Sequence, residues 1–461
     1  MARGAEGLRL SEPSVGPAGA GGGTFHRLLT RAVDVQPDEV RAVVASFVYF
    51  FFALSSWFVL RPMRDTVAAS SGATQLSWLW VGTLGTMLVA NAAFSAVVVK
   101  FPPRKFIPYA YHAIVASLLI FYVAFLKFGA VEGSASDIWM GRAFYIWSSF
   151  INLFVTSLFW GFMADAWRSD QAKRLFGFIG VGGTLGSVTG SAATAELAAR
   201  LGTANLLLVS GALLEIAVLA VAWFPRYERA SKAAPTETGT AGTSDTRGTA
   251  LGGSVWAGFT HTVRHPYLVG IALFIALFTF GSSFLYFEQS AIVGAAYADR
   301  TSRTVVLAKI EFAVQTLTVL VQMFFTGRLI RWFGLATALA IVPILSIVGF
   351  GALGVTSTFA AIAAFVIARR AGNFALTNPA MEVLFTVVPR EDKYKAKSFI
   401  ETFVYRAGDQ AGAWTFAGLV ALGLTLTSIA WLAVPVSVIW LLTSVWLARR
   451  HAALAKGPAR P

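Results

Sequence analysis

Stretches of about twenty apolar residues recur along this chain, and such stretches are what a bilayer requires of a spanning helix. Twelve are legible, centred on 42–60, 76–99, 106–126, 142–163, 175–197, 204–224, 267–288, 305–326, 335–354, 358–388, 397–424 and 428–447. In lipid the backbone must satisfy its own hydrogen bonds, so each run reads as a helix. Only 13% of the 461 residues are charged and 56% are hydrophobic, too few polar groups to cover a water-soluble protein of this length. The expected fold is an all-α integral membrane protein with twelve transmembrane helices.

Basic residues set the orientation. With the N-terminus cytoplasmic, 26 of the 37 Lys and Arg fall in inside segments and 8 outside, leaving Arg369, Arg370 and Arg406 within spans. The positive-inside rule then places both termini in the cytoplasm. Those loops, next to anionic lipid, account for the net charge of +14 without a nucleic-acid polymer as partner. Residues 1–24, rich in Gly, Ala and Pro, read as a disordered tail rather than a cleavable signal peptide. Cysteine is absent, and His26, His112, His261, His265 and His451 show no metal-binding spacing, so no metal or cofactor is expected.

Residues 230–254, dense in Gly, Thr, Ser and Ala, read as a flexible cytoplasmic linker. The linker parts a first six-helix bundle, 25–229, from a second, 255–449, with a cytoplasmic tail at 450–461. The halves share sequence at an offset of 227 residues. Ser55-Ser56-Trp57-Phe58-Val59-Leu60-Arg61 matches Ser282-Ser283-Phe284-Leu285-Tyr286-Phe287-Glu288, and Arg104 matches Arg331. This plan resembles the major facilitator superfamily, whose halves are parallel repeats. The resemblance implies two pseudo-symmetric bundles and a central cavity lined by the first, fourth, seventh and tenth helices. It also implies a midplane binding site and alternating access.

Arg369 and Arg370 lie midway along the tenth span, with Asn373 one turn on. A charge at the bilayer centre costs roughly 2.5–3.5 kcal/mol or more, so the pair calls for a watery cavity, a carboxylate or an anionic ligand. Glu311, Gln315, Thr318 and Gln322 form one polar stripe down span eight, and Glu401, Tyr405 and Asp409 another on span eleven, where Arg406 can pair with Asp409. Arg61 closes span one and Glu288 holds the equivalent place on span seven, so the two are expected to form an outer gate pair. Gly182, Gly186 and Gly190 repeat every four residues on span five, a close-packing pattern. No lysine follows to make a phosphate-binding loop.

Several segments resemble the ATP/ADP translocase (nucleotide transporter) family of plastids and intracellular bacteria. They are Leu60-Arg61-Pro62-Met63-Arg64-Asp65, Leu158 to Phe162 with Ala172 to Phe176, Glu288, and Glu382 to Ala413, the last containing the charged run Val387 to Lys397. The resemblance implies nucleotide exchange across a membrane, with Arg61, Arg64, Asp65, Glu288 and Arg406 at motif positions. One departure stands out. The energy-parasite members read Gly-Arg-x-Gly-Lys-Ser-Gly-Gly where this chain reads Tyr405-Arg406-Ala407-Gly408-Asp409-Gln410-Ala411-Gly412. Asp409 reverses a charge where phosphate affinity is needed, which is similar to divergent relatives in the inner membranes of free-living bacteria.

The sequence thus points to a secondary transporter, not an enzyme, moving a small organic anion such as a nucleotide or phosphorylated metabolite, with a monomer favoured. Expected binding residues are Arg61, Arg64, Asp65, Arg369, Arg370, Asn373, Arg406 and Asp409; expected gating or coupling residues are Arg61, Glu288, Glu311 and Gln315. The alternative is a proton-driven exporter of cationic or neutral amphiphiles, in which the carboxylates hold substrate.

Overall fold

The computed structural model describes residues 35–98, 103–129, 131–225, 255–389 and 396–455. The tail at 1–24, the linker at 230–254, residues 390–395 of the charged run and the end of the C-terminal tail, 456–461, lie outside the described residues. Every described element is a helix. Before the linker come α1 (Val40–Ala69), α2 (Ala73–Val98), α3 (Pro103–Phe128), α4 (Ala135–Ala166), α5 (Ser169–Leu201) and α6 (Leu206–Trp223). After it, a short helix at Val255–Arg264 leads into α7 (Pro266–Ala296), α8 (Arg300–Val321), α9 (Gly334–Val355), α10 (Phe359–Gly372), α11 (Tyr405–Ala421) and α12 (Leu426–Ala455).

Among the described residues ten helices are long and apolar enough to cross a membrane, and the chain is an integral membrane protein. α2 and α11 are not among the ten; α11 has 17 residues and carries Arg406 and Asp409. Short turns make consecutive helices alternate in direction. Those at residues 70–72, 202–205 and 297–299 mark one end of the molecule, here called distal, opposite the end at which α1 begins and α12 finishes. Gly334 holds the turn into α9 with φ of 77°, a conformation that glycine adopts without steric cost.

Small residues let helices approach to backbone contact. A Cβ on Gly186 would run into the Phe51 carbonyl, and Ser55 Oγ donates to the Gly186 carbonyl at 3.0 Å. The glycine repeat of α5 therefore packs on α1. α11 meets α7 in the same manner, with Gly408 against Thr279 and Gly412 against Ser283.

Two apolar cores separate at the terminal end. One draws on α1 and α3–α6, the other on α7, α9, α12 and the segments flanking α10 and α11. A third core mixes α1, α2 and α4 with α7–α12, joining both sets. The first turn of α8 clasps the distal end. Arg300 Nη2 reaches both oxygens of Asp137 on α4 at 2.5 and 2.6 Å, and Thr304 shares a hydrogen bond with Thr66 of α1 at 2.9 Å. Arg303 donates to Ser70 Oγ at 2.8 Å and to the Tyr297 carbonyl at 2.7 Å.

At the opposite end Glu39 pins α1 to α5, accepting from Gln171 at 2.8 Å and Arg174 at 2.9 Å. Burial alone would raise the Glu39 carboxyl. The Gln36 backbone N–H, Gln171 and Arg174 outweigh it and hold the group below the ordinary glutamate value. Three π-turns, Gln322–Thr326 after α8, Asn373–Thr377 after α10 and Ile400–Val404 before α11, fall in the terminal-end halves of their helices.

Candidate functional site: a cationic cavity

α1, α2, α4, α7, α10 and α11 enclose a cavity of about 370 Å³. The superfamily resemblance implied four of these walls; α2 and α11 complete it. Arg61, Arg64, Asp65, Arg369, Arg370, Asn373, Arg406 and Asp409 all line this space, gathered from three helices far apart in sequence.

The arginines are held in different ways. Arg370 grips Glu311 of α8 with two parallel bonds, Nη1 to Oε2 at 2.7 Å and Nη2 to Oε1 at 3.0 Å. Arg61 approaches the same carboxylate from α1 at 3.2 Å and Asp65 at 3.8 Å. Glu311 thus bridges α1, α8 and α10, steadied by Gln315 Nε2 at 2.8 Å. Among the described residues Arg369 makes no ion pair: it donates to Ser346 Oγ at 2.9 Å, Ser282 Oγ at 3.0 Å and the Phe278 carbonyl at 3.2 Å, and its guanidinium lies over Phe278 and Trp440. It is 3% exposed and ties α10 to α7 and α9. Arg406 is the most open, its side chain 45% exposed, with Asp409 at 3.7 Å on the next turn.

Arg64 belongs to a chain of bonds across four helices. It bonds Asp65 at 3.1 Å; Tyr286 Oη of α7 donates to Asp65 at 2.9 Å and lies 3.3 Å from Tyr145 Oη of α4; Trp80 Nε1 of α2 donates to Tyr145 at 2.9 Å. None of Trp80, Tyr145 and Tyr286 stood out in the sequence, because aromatics are also what a lipid-facing surface carries. Thr83 Oγ1, Asn373 Oδ1 and Gln410 Oε1, all on lining residues, make no hydrogen bond among the described residues.

Two expectations need correction. Arg61 and Glu288 do not form a gate pair. An apolar window ends a span where charges begin, but α1 continues more than two turns past Leu60 through Pro62, and α7 continues to Ala296. Arg61 and Arg64 are consequently inside the bundle rather than at its outer face. Glu288 is fully buried, and among the described residues neither of its carboxylate oxygens has a hydrogen-bond partner. Gln315 does not line the cavity; it stands behind Glu311 and accepts from Ser187 of α5 at 3.2 Å. The remaining stripe residues do structural work: Thr318 bonds the Val314 carbonyl of its own helix, and Gln322 the Phe374 carbonyl.

Five guanidinium groups face three carboxylates here, Asp65, Asp409 and Glu311, leaving two surplus positive charges in a space walled by Trp80, Phe278 and Phe374. Low-dielectric walls strengthen the field of such a surplus at an anion.

No protein-family profile matches the sequence. Among curated proteins, ADP,ATP carrier protein 1 of Chlamydia muridarum is 22% identical over 86% of this chain and 85% of its own length. The carrier of the same name from Chlamydia trachomatis is likewise 22% identical over 86% of this chain. Over most of its length this chain is thus similar, at low identity, to the ADP,ATP carriers. Those relatives are carriers rather than enzymes. Solved structures share the fold and little sequence. A bacterial homologue of the iron transporter ferroportin, in an inward-facing state, superposes with a TM-score of 0.63 at 9% identity, covering 90% of this chain and all of that one. The nucleoside transporter NupG gives 0.52 at 17% identity, covering 91% of this chain and all of its own. The helical arrangement is thus one this chain shares with those two structures.

Proposed function

We propose that the protein is a secondary transporter that carries a small organic anion, of the nucleotide or phosphorylated-metabolite class, through this cavity by alternating access. Twelve spanning helices in two six-helix bundles, 25–229 and 255–449, would flank it in a bacterial inner membrane with both termini cytoplasmic. The observation that carries the reading is the surplus of guanidinium groups on a cavity shared by helices from before and after the linker. Kinship with carriers of ADP and ATP supports it. The clasped distal end and the separate cores at the terminal end fit a carrier open toward the side bearing the termini.

The test is anion binding by purified protein, followed by flux into proteoliposomes, with ADP, glucose 6-phosphate and succinate as probes. A ligand at 100 times its Kd stabilises by about 2.7 kcal/mol, a readily measured shift in melting. Arg370→Gln should abolish flux while leaving the chain folded. If lipophilic cations shift the melt and none of the anions does, the cavity serves a cation exporter instead.

A further inference from the structure

A cavity that concentrates positive charge needs a counter-anion, and the protein supplies one. Glu311 comes from α8, a helix that does not itself line the cavity, and its side chain is only 4% exposed. It nevertheless occupies the arginines a ligand would want most. Arg61 and Arg370, with side chains 22% and 19% exposed, point at one shared carboxylate. The other guanidinium groups are less available as a pair: Arg64 is held by Asp65, Arg369 is spent on three neutral acceptors, and Arg406 stands by Asp409.

The geometry points to Glu311 as an internal stand-in for the substrate's anionic end: a phosphoryl or carboxylate group entering the cavity displaces it from Arg61 and Arg370. This rests on the anion-carrier reading above. Arg370 presents two parallel N–H bonds spaced for two oxygens on one atom, the fork geometry that carboxylate and phosphate share. When displaced, Glu311 keeps the Gln315 bond and swings no further than that tether allows. Its departure breaks the ionic bridge that joins α1 to α8 and α10 through Glu311, so occupancy by substrate and release of the two sets of helices become a single event. Glu311 is in this sense a positioning and specificity residue: it sets how strong an anion must be to enter.

The experiment compares anion affinities of full-length variants using ADP, glucose 6-phosphate and succinate. Glu311→Gln removes the competitor and should tighten binding at least tenfold. Added positive charge alone could do this, so two controls separate the causes. Asp409→Asn changes the cavity charge by the same unit without touching Arg61 or Arg370 and should give a smaller gain. Glu311→Asp keeps the charge but is one methylene too short to hold both guanidinium groups, and should also tighten binding, by about threefold. If wild type binds an anion and both Glu311 variants bind it no better, displacement is wrong while the anion reading stands. Should neither wild type nor any variant bind an anion, the anion reading fails first. Unchanged affinity in Glu311→Asp with a gain in Glu311→Gln equal to that of Asp409→Asn reduces Glu311 to a background charge and overturns the inference.

Discussion

Replacing Asp137 with asparagine should open the distal end. In the structure Arg300 Nη2 lies 2.5 and 2.6 Å from the two Asp137 oxygens, with the side chains 22% and 6% exposed. Asparagine keeps an acceptor for the Gly133 N–H that Asp137 now binds at 3.0 Å, so the α4 N-terminus stays capped. What is lost is the charge across the α4–α8 seam. Hydrogen bonds to charged groups contribute about 1.5–3 kcal/mol, and a loss of about 2 kcal/mol moves a two-state equilibrium roughly thirtyfold. The chain contains no cysteine, so a single probe can be placed in the native background. Gln289, on the cavity wall and 9% exposed, is a suitable site. In Gln289→Cys, a membrane-impermeant thiol reagent applied from the distal face should react slowly, and adding Asp137→Asn should speed labelling by a factor of that order. Arg300→Gln should act alike, and the double variant should add nothing, since both remove one interaction. If labelling from the distal face is unchanged in both variants while a permeant reagent modifies the cysteine, the α8 clasp does not hold that end shut.

Four further outcomes follow from the packing and the charges. Gly186→Val drives a side chain into the Phe51 carbonyl and should lower stability by about 1–3 kcal/mol or prevent folding, seen as a fall in melting temperature in detergent. Glu39 has a folded value below its ordinary one, so its contribution is present above the unfolded pKa and is lost as pH falls through the folded value. Melting temperature should therefore drop on acidification below about pH 4.3, and Glu39→Gln should show a smaller drop over the same window. Arg369→Lys cannot reproduce three separate donor contacts and should lower the melting temperature of the empty protein. Arg406→Gln, at a largely open site, should instead weaken anion binding about tenfold, some 1.4 kcal/mol, with little effect on that melt.

Much of the cavity was visible in the sequence because lipid makes charge conspicuous. Arg369, Arg370 and Arg406 stand out in apolar segments, and the spacing of Glu311 and Gln315 placed them on one face of their helix. Their division of labour was not visible. Nothing in the run Ala368 to Ala371 says that Arg369 is fastened to serines and a carbonyl while Arg370 takes the carboxylate; neighbours on a helix point about 100° apart and meet different partners. The misplaced Arg61–Glu288 pair has a definite origin: hydropathy truncates a helix at its first charges, although α1 carries Arg61, Arg64 and Asp65 well inside its length. Trp80, Tyr145 and Tyr286 gave no signal because their role depends on a chain of bonds among four helices, which no local spacing encodes.

The π-turns carry a mechanical consequence. Among the described residues they occur only after the linker, adjoining α8, α10 and α11 in the terminal-end halves of those helices. A wide turn breaks the regular ladder of backbone bonds and makes a ready hinge point, whereas an uninterrupted helix tends to move as a rod. α4 and α5 have no such interruption, and the proline of α1, Pro62, lies toward the distal end of that helix. Shutting the terminal-end mouth would then be uneven: one flank serves as a stiff wall, and the other supplies the flexing jaw.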